Sequence, residues 1–161
     1  YPFGEYHPGM FAVLEKHGYQ AAAAQKSGVI GPGSEKFALP RFPMNFNYAE
    51  MDGFTEKLRM NALPVTGVKP ENPVVSGENP PRLRIRVADA GIDPGSLQCF
   101  VSGQKNCTVK YSRQNGELVI RARSREPLDS RRTLYTITAP SADGAQWHWY
   151  SHLWVLPEIP E

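Results

Sequence analysis

The feature that most constrains the fold is an alternation of apolar and basic residues in the second half of the chain. Residues 82–87 read Arg-Leu-Arg-Ile-Arg-Val, so every second side chain is apolar. Because successive side chains of a β-strand point to opposite faces, this period of two predicts a strand with one face on a core and the other in solvent. A similar alternation returns at 118–123 and 133–139. These segments predict β-sheets that bury one face.

Turn signals separate the predicted strands. They are Gly-Ile-Asp-Pro-Gly at 91–95, Asn-Gly at 115–116 and Ser-Ala-Asp-Gly at 141–144. Further strands are predicted near Val74, Cys99 and Val109 and at 147–156. About seven short strands at this spacing are typical of an immunoglobulin-like sandwich. We therefore predict an immunoglobulin-like β-sandwich over residues 74–161.

The first part of the chain has a different character. Apolar residues at helical spacing predict a helix over 8–17, which Gly18 can end, and a second helix over 49–61. Short apolar runs lie between them, so residues 1–66 are predicted to form an α/β unit. Residues 64–73 contain three prolines and one glycine, and we predict an interdomain linker over 67–73. The fold class is therefore α/β followed by all-β.

The two cysteines of the chain, Cys99 and Cys107, lie symmetrically about Gly103. A hairpin that turns near Gly103 would bring them opposite each other, where paired positions lie roughly 4.5–5.5 Å apart. This arrangement predicts a disulfide, although two buried thiols that never pair remain the alternative. A metal site is less favoured, because two cysteines supply half a ligand set. A disulfide predicts a periplasmic or secreted protein, since the cytosol keeps thiols reduced.

Charge and hydropathy exclude two classes of partner. The chain has 18 Lys and Arg against 16 Asp and Glu, a net charge of +2. Phosphate recognition requires a concentrated basic patch, so nucleic acid is not an expected partner. The sequence contains no apolar run of about 18 residues, so no membrane span is expected either.

Several segments, taken in order, resemble a known family. They are Tyr-Pro-Phe-Gly-Glu-Tyr at 1–6, His-Gly-Tyr at 17–19, Ile-Gly-Pro-Gly at 30–33 and Ala-Leu-Pro-Arg-Phe-Pro-Met at 38–44. This order resembles the C-terminal part of the catalytic domain of polysaccharide deacetylases, the carbohydrate esterases with a NodB-homology domain. The branch it resembles most is the exopolysaccharide (poly-N-acetylglucosamine) deacetylases. Residues 135–141 and 147–151 are similar to a sandwich appended to some bacterial members.

The resemblance implies that residues 1–66 are the C-terminal part of a distorted (β/α) barrel. The intact enzyme would use a divalent metal, expected to be zinc, to remove N-acetyl groups from a polysaccharide. In the family, an Asp-Asp motif provides the base and one metal ligand, and a His-x-x-x-His motif provides the other two ligands. The aspartates of this chain include no adjacent pair: Asp52, Asp89, Asp93, Asp129 and Asp143. This fragment is therefore expected to be inactive and to bind no metal alone, and its expected partners are the N-acetylated polysaccharide and the absent barrel half or a second copy.

The resemblance also assigns a candidate site at the start of the chain. Pro2, Phe3 and Gly4 match the family's third motif, in which the backbone N–H of the aromatic residue helps to hold the oxyanion of the reaction. Phe3 would take that role, and Tyr1 would form a wall on which the sugar stacks. A fixed amide dipole directed at developing negative charge stabilises a transition state. The alternative is that residues 1–4 are only a strand end and a turn.

The last predicted strand contains histidines and aromatic residues that offer a second candidate site. His148 and His152 could chelate zinc on a helix, whereas on a strand they would lie about 13 Å apart, too far to share one ion. The aromatic density favours a strand. On that strand Trp147 and Trp149 share one face, and Tyr150 lies on the other. If one face is exposed, its rings could stack on sugars, and the alternative function is then a non-catalytic glycan-binding or adhesion module built on the sandwich.

Overall fold

The computed structural model describes residues 1–44, 50–88, 91–104 and 107–160. This part of the chain is mostly β-structure, with eight strands in two four-stranded sheets and two short α-helices. The strands are β1 (Asn61–Ala62), β2 (Val65–Lys69), β3 (Leu83–Ala88), β4 (Gln98–Val101), β5 (Cys107–Gln114), β6 (Glu117–Ser124), β7 (Arg132–Pro140) and β8 (Trp147–Val155). The first sheet has the order β1-β8-β7-β4, and the second has the order β2-β3-β6-β5.

Antiparallel pairing dominates both sheets. In the first sheet β7 pairs with β8 from Arg132–Val155 to Pro140–Trp147, and β1 is a short parallel addition to β8. In the second sheet β3 lies between β2 and β6, and β5 pairs with β6. Asn115 and Gly116 join β5 to β6 with φ angles of 51° and 78°. Two consecutive left-handed residues match the twist of the flanking strands, which explains the asparagine-glycine pair.

One core lies between the two sheets. In β3, buried Leu83, Ile85 and Val87 alternate with exposed arginines, which confirms the alternation predicted over 82–87. The same core receives side chains from the other central strands: Leu118, Ile120, Ala122, Tyr135, Ile137, Ala139 and Trp154. The two sheets therefore pack as a sandwich-like pair.

The chain before β1 forms a layer on the outer face of the first sheet. Tyr6, Ala24 and Ala38 form a second buried cluster with Leu153 and Val155 of β8. Residues 151–156 are consequently all buried, because side chains on both faces of β8 are covered. The sequence predicted sheets that bury one face, and the N-terminal layer is the reason that this prediction does not hold for β8.

The N-terminal layer consists of helical turns and extended segments. A 3₁₀ turn at Pro8–Met10 continues into α1 (Phe11–Lys16), which covers most of the helix predicted over 8–17. The second helix, α2 (Met51–Leu58), is shorter than predicted, and residue 49 of that prediction lies outside the described residues. Between the helices, Ala23 and Leu39 form a parallel bridge.

The predicted linker is not a separate connection in the structure. Its residues 67–69 belong to β2, which pairs with β3 in the second sheet. The carbonyl of Pro73 accepts a hydrogen bond from the N–H of Val155 at 2.9 Å. Val74, near which the sequence predicts a strand, forms only an isolated bridge to Val155. The prolines of this segment lie outside strand interiors, where a missing N–H removes no ladder hydrogen bond. The prolines of this segment therefore limit the length of β2, and residues 67–69 of the predicted linker are part of a strand.

The predicted disulfide between Cys99 and Cys107 is confirmed, with the two Cα atoms 5.7 Å apart. The expected setting, two cysteines opposite each other in one hairpin ladder, is wrong. Cys99 lies in β4, which pairs with β7, and Cys107 lies in β5, which pairs with β6. Gly103, with φ of 76°, lies in the connection between the two sheets. The disulfide therefore links the edge strands of different sheets.

No helix in the described part of the chain is long and apolar enough to span a membrane.

Replacing both cysteines, Cys99→Ala with Cys107→Ala, is expected to lower the free energy of unfolding by roughly 2–3 kcal/mol, because the cross-link restricts the unfolded chain. Urea denaturation followed by tryptophan fluorescence measures this change. As a control, reduced wild-type protein should unfold at nearly the midpoint of the variant. Equal midpoints for the variant and the oxidised wild type would contradict the prediction.

Candidate functional site

The segment at Tyr1–Gly4 forms a tight turn at the start of the N-terminal layer. The N–H of Gly4 donates to the carbonyl of Tyr1 at 2.9 Å, and Phe3 has φ of 52° and ψ of 6°. This left-handed conformation is uncommon for a residue with a side chain, and it persists only where the surroundings fix it. Phe3 is 65% exposed, and its N–H donates to no acceptor among the described residues. The Phe3 amide is therefore a donor without a partner in that part of the chain.

Gly4 fixes the position of this turn. It is buried with φ of 69°, and its carbonyl accepts a hydrogen bond from the N–H of Gln25 at 2.9 Å. A Cβ atom at this position would lie 2.5 Å from the backbone nitrogen of Gln25. Both the conformation and the close approach require glycine.

Glu5 ties the turn to the sandwich through two arginines. Arg131 donates from Nε and Nη2 to the two carboxylate oxygens at 2.8 and 2.9 Å, and Arg132 donates from Nη1 to Oε1 at 2.9 Å. The hydrogen bond from Arg131 is the largest cause that lowers the pKa of Glu5 below its usual value. A bidentate arginine–carboxylate pair restricts geometry as well as adding energy. Arg132 also lies 5.5 Å from the centre of the Phe3 ring.

The substitution Glu5→Gln is expected to lower the free energy of unfolding at pH 7 by about 1–3 kcal/mol, because it leaves two partly buried guanidinium groups without their carboxylate. The pKa of Glu5 is lower in the folded state than its ordinary value of 4.5. The stabilisation is therefore complete above that ordinary value and is lost as the pH falls through the folded-state pKa. Urea denaturation of both proteins between pH 7 and pH 3 tests this expectation.

Glu15→Gln is the matched control, because Glu15 forms an exposed ion pair with Lys36. Exposed pairs of this kind contribute little to stability, because water screens the two charges. We call the hydrogen-bonded group of Glu5, Arg131 and Arg132 the Glu5 clamp. A Glu5→Gln effect as small as that of the control, or one that persists unchanged at acidic pH, would show that the Glu5 clamp does not stabilise the fold.

The aromatic residues of β8 lie in three different environments. Trp147, at the start of the strand, is 38% exposed. Trp149 is half-buried: its Nε1 donates to Oγ of Ser27 at 3.1 Å, and its ring lies edge-on to Phe42, with centroids 5.4 Å apart. Tyr150 packs against the core between the sheets, and burial raises the pKa of its hydroxyl. Of these three residues, only Trp147 is classed as exposed to solvent.

A groove of about 470 Å³ runs beside Trp147, between α2 and the end of the β7–β8 hairpin. Its polar walls come from Asp52, Glu56 and Arg59 of the helical segment and from Gln146. An exposed aromatic ring flanked by hydrogen-bonding groups is an arrangement that suits a sugar, whose C–H face packs on the ring while its hydroxyls find partners. The sequence pattern predicted both the strand of Trp147 and a helix over 49–61 but did not indicate that the two lie side by side.

A larger cavity, of about 670 Å³, lies between the N-terminal layer, β2 and β8. Lys26 and His152 line it together with the hydroxyl-bearing residues Tyr6 and Tyr150. Sequence reasoning did not predict this site. Its members are distant in the sequence, and no local motif joins them.

The titratable groups of this cavity are strongly affected by burial. Burial lowers the pKa of His152 to about 3, and the positive charge of Lys26 is a smaller cause in the same direction. The His152 ring is therefore neutral at pH 7. Burial lowers the pKa of Lys26 to about 8, and Glu35 opposes this change. Burial also raises the pKa of Tyr6 to about 12, so its hydroxyl stays protonated at neutral pH.

The two histidines of β8 do not form a shared metal site. His148 and His152 both belong to the extended strand β8, where a separation of four residues corresponds to about 13 Å. Among the described residues, no three His, Cys, Asp or Glu side chains come together as a metal-binding group. The buried Nδ1 of His148 and Nε2 of His152 have no hydrogen-bond partner in that part of the chain.

None of the family models, curated proteins or solved structures compared with this chain matches it. The structure itself thus defines the class to which the chain belongs. It is a mostly β protein with two sheets, an intersheet disulfide and a covering N-terminal layer.

Proposed function

We propose that this chain is the C-terminal part of a metal-dependent polysaccharide deacetylase that removes N-acetyl groups from a glycan. In this proposal residues 1–66 are the last part of a (β/α) barrel, and residues 74–161, which form six of the eight described strands, are an immunoglobulin-like sandwich appended to it. The partners would be the N-acetylated polysaccharide and the front half of the barrel, from the same protein or from a second copy.

The observation that carries the proposal is the arrangement of the N-terminal layer. The N–H of Gln25 donates to the carbonyl of Gly4, and the N–H of Ala24 donates to the carbonyl of Leu39 at 3.0 Å beside the parallel bridge of Ala23 and Leu39. Gly4 ends a 3₁₀ turn, and α1 lies between this turn and the segment of Ala23, which pairs in parallel with Leu39. A helix followed by an extended segment with a parallel neighbour is a part of β/α folds.

The Tyr1–Gly4 turn supports the chemical part of the proposal. Phe3 holds a free N–H in a conformation that Gly4 and the Glu5 clamp fix. When water attacks an N-acetyl carbonyl, negative charge develops on the carbonyl oxygen, and a fixed N–H directed at this oxygen stabilises it without reorganisation. The bond between the carbonyl carbon and nitrogen then breaks, which releases acetate and leaves the amine on the sugar.

The proposal assigns other roles to the remaining predicted residues. Tyr1 donates its hydroxyl to the carbonyl of Phe37 at 2.6 Å, and its ring lies 5.9 Å from the Tyr6 ring, so its position is fixed; in this proposal it is the wall of the sugar site. The described residues offer no group of three metal ligands, so the divalent metal, zinc in this proposal, would be held by the front half of the barrel. The disulfide supports a periplasmic or secreted location, since such bonds persist in oxidising compartments.

The longer protein that contains this chain is expected to release acetate from an N-acetylglucosamine oligomer in the presence of Zn²⁺, whereas the chain alone is not. In that protein Gly4→Ala should lower kcat by about 10²-fold, the usual effect of losing one oxyanion donor, because the new Cβ displaces the turn that carries the Phe3 amide. Measurement of released acetate tests both statements.

Gly18→Ala is the matched control. Gly18 also has a positive φ, of 80°, but no atom lies within 4 Å of an added Cβ. This variant carries the same backbone strain without the clash, and its kcat should equal that of the wild type. Turnover by the chain alone, an unchanged kcat for Gly4→Ala, or the absence of an Asp-Asp motif in the coding sequence upstream would contradict the proposed function.

A second candidate function is supported by the groove beside Trp147: a non-catalytic module that binds glycan. Its test is the affinity of the whole chain for an N-acetylglucosamine trimer, measured by calorimetry. Trp147→Ala should weaken binding about ten-fold or more. Tyr111→Ala removes a similarly exposed ring on β5 of the other sheet and should leave the affinity unchanged. If Trp147→Ala and Tyr111→Ala bind the trimer with the same affinity, the groove is excluded as a glycan site.

A further inference from the structure

The cavity between the N-terminal layer, β2 and β8 has the size and lining of a ligand site. Its volume of about 670 Å³ falls within the range of small-molecule pockets, roughly 300–1,000 Å³. Phe11 contributes an aromatic wall, and Pro64, Val65 and Val68 contribute apolar walls at and near β2. Such pockets combine mostly apolar walls with a few polar groups that set the orientation of the ligand.

His152 is the polar group that most clearly points to a ligand. The residue is 3% exposed and lines the cavity, yet its Nε2 has no hydrogen-bond partner among the described residues. Its ring is held in place on other sides, because Nδ1 lies 3.5 Å from the hydroxyl of Tyr150 and the ring packs edge-on against Trp154. Buried polar atoms of folded proteins are nearly always satisfied, by protein, by water or by a ligand.

Lys26 is a second polar group of the cavity without a close partner. Lys26 is half-buried, and no described residue forms a hydrogen bond or ion pair with its ammonium group. Glu35 acts on it electrostatically from the same wall, and Glu71 adds a second carboxylate to the lining. One ammonium group against two carboxylates gives no excess of positive charge, so the lining does not favour an anion.

The combination of groups favours a ligand that carries hydroxyls. The Nε2 of neutral His152 donates or accepts according to the tautomer, Lys26 donates, Glu35 accepts, and the Tyr6 hydroxyl does both. A hydroxyl group can serve every one of these partners, because it is itself both donor and acceptor. The Phe11 ring and the apolar walls suit the C–H faces of a sugar ring.

We propose that this cavity is a binding site for a neutral sugar unit, in which His152 and Lys26 hydrogen-bond to its hydroxyl or acetamido groups. The site would be separate from the Phe3 turn and from the Trp147 groove, since neither Phe3 nor Trp147 lines it. The choice of an N-acetylated sugar as the ligand rests on the proposed function. The position of the site rests on the cavity and its unpaired groups.

The test is a titration of the whole chain with an N-acetylglucosamine trimer, followed by calorimetry and by the NMR signals of the His152 ring. In the wild type the ring signals of His152 should shift in proportion to the fraction of protein that has bound the trimer. Lys26→Met should weaken binding about ten-fold or more, the effect of losing a hydrogen bond to a charged donor. Lys110→Met, on the exposed face of β5, is the matched control and should leave the affinity unchanged.

Two further variants keep the result interpretable if one protein does not fold. Tyr6→Phe removes only a hydroxyl from the lining, and His152→Gln keeps a hydrogen-bonding side chain at the buried position. Each folded variant should bind the trimer more weakly than the wild type. Trimer binding that leaves the His152 signals unshifted, equal affinities for the wild type and Lys26→Met, or tighter binding of glucuronate than of the neutral trimer would overturn the proposal.

The outcomes separate this site from the proposed function. Trimer binding that depends on Lys26, together with a longer protein that releases no acetate, would support the cavity and reject the deacetylase. Acetate release together with no trimer binding by this cavity would support the deacetylase and reject the sugar site.

Discussion

The burial of β8 on both faces is the constraint on which the rest of the structure depends. Trp154 packs between the sheets, while Leu153 and Val155 pack against the N-terminal layer. Each fully buried side chain of this size contributes about 1.5–3 kcal/mol relative to exposure. Without the layer, an apolar sheet face would be in contact with water, so the layer and the two sheets stabilise each other.

Polar contacts then determine where the layer lies on the sheet. Apolar packing is not directional, whereas the Glu5–Arg131 pair and the Trp149–Ser27 hydrogen bond have defined geometries. Arg131 also donates to the carbonyls of Pro157 and Ile159. One guanidinium group thus connects the first turn of the chain, the sandwich and the C-terminal residues. This connection places the Phe3 amide on a rigid support.

The two open sides of the sandwich-like pair are closed by different means. On one side the edge strands β4 and β5 are joined by the disulfide. On the other side β1 is only two residues long, so it pairs with β8 only as far as Trp149. The N-terminal layer and β2 border the remaining space. The larger cavity lies at this side because the short edge strand leaves room there, and it is where His152 and Lys26 meet.

Particular residues show how far the sequence determined this protein. The alternation at Leu83, Ile85 and Val87 determined both the strand and its buried face, because it depends on residues that are close together in the chain. The positions of Cys99 and Cys107 predicted the disulfide, but the two sheets whose edge strands it joins were decided by the tertiary structure. The strand within the predicted linker, the cover over Trp149 and the meeting of Lys26 with His152 were decided only by the tertiary structure. The physical reason is that a period of two reports which way a side chain points, whereas pairing, cover and cavities depend on contacts between segments that are distant in the sequence.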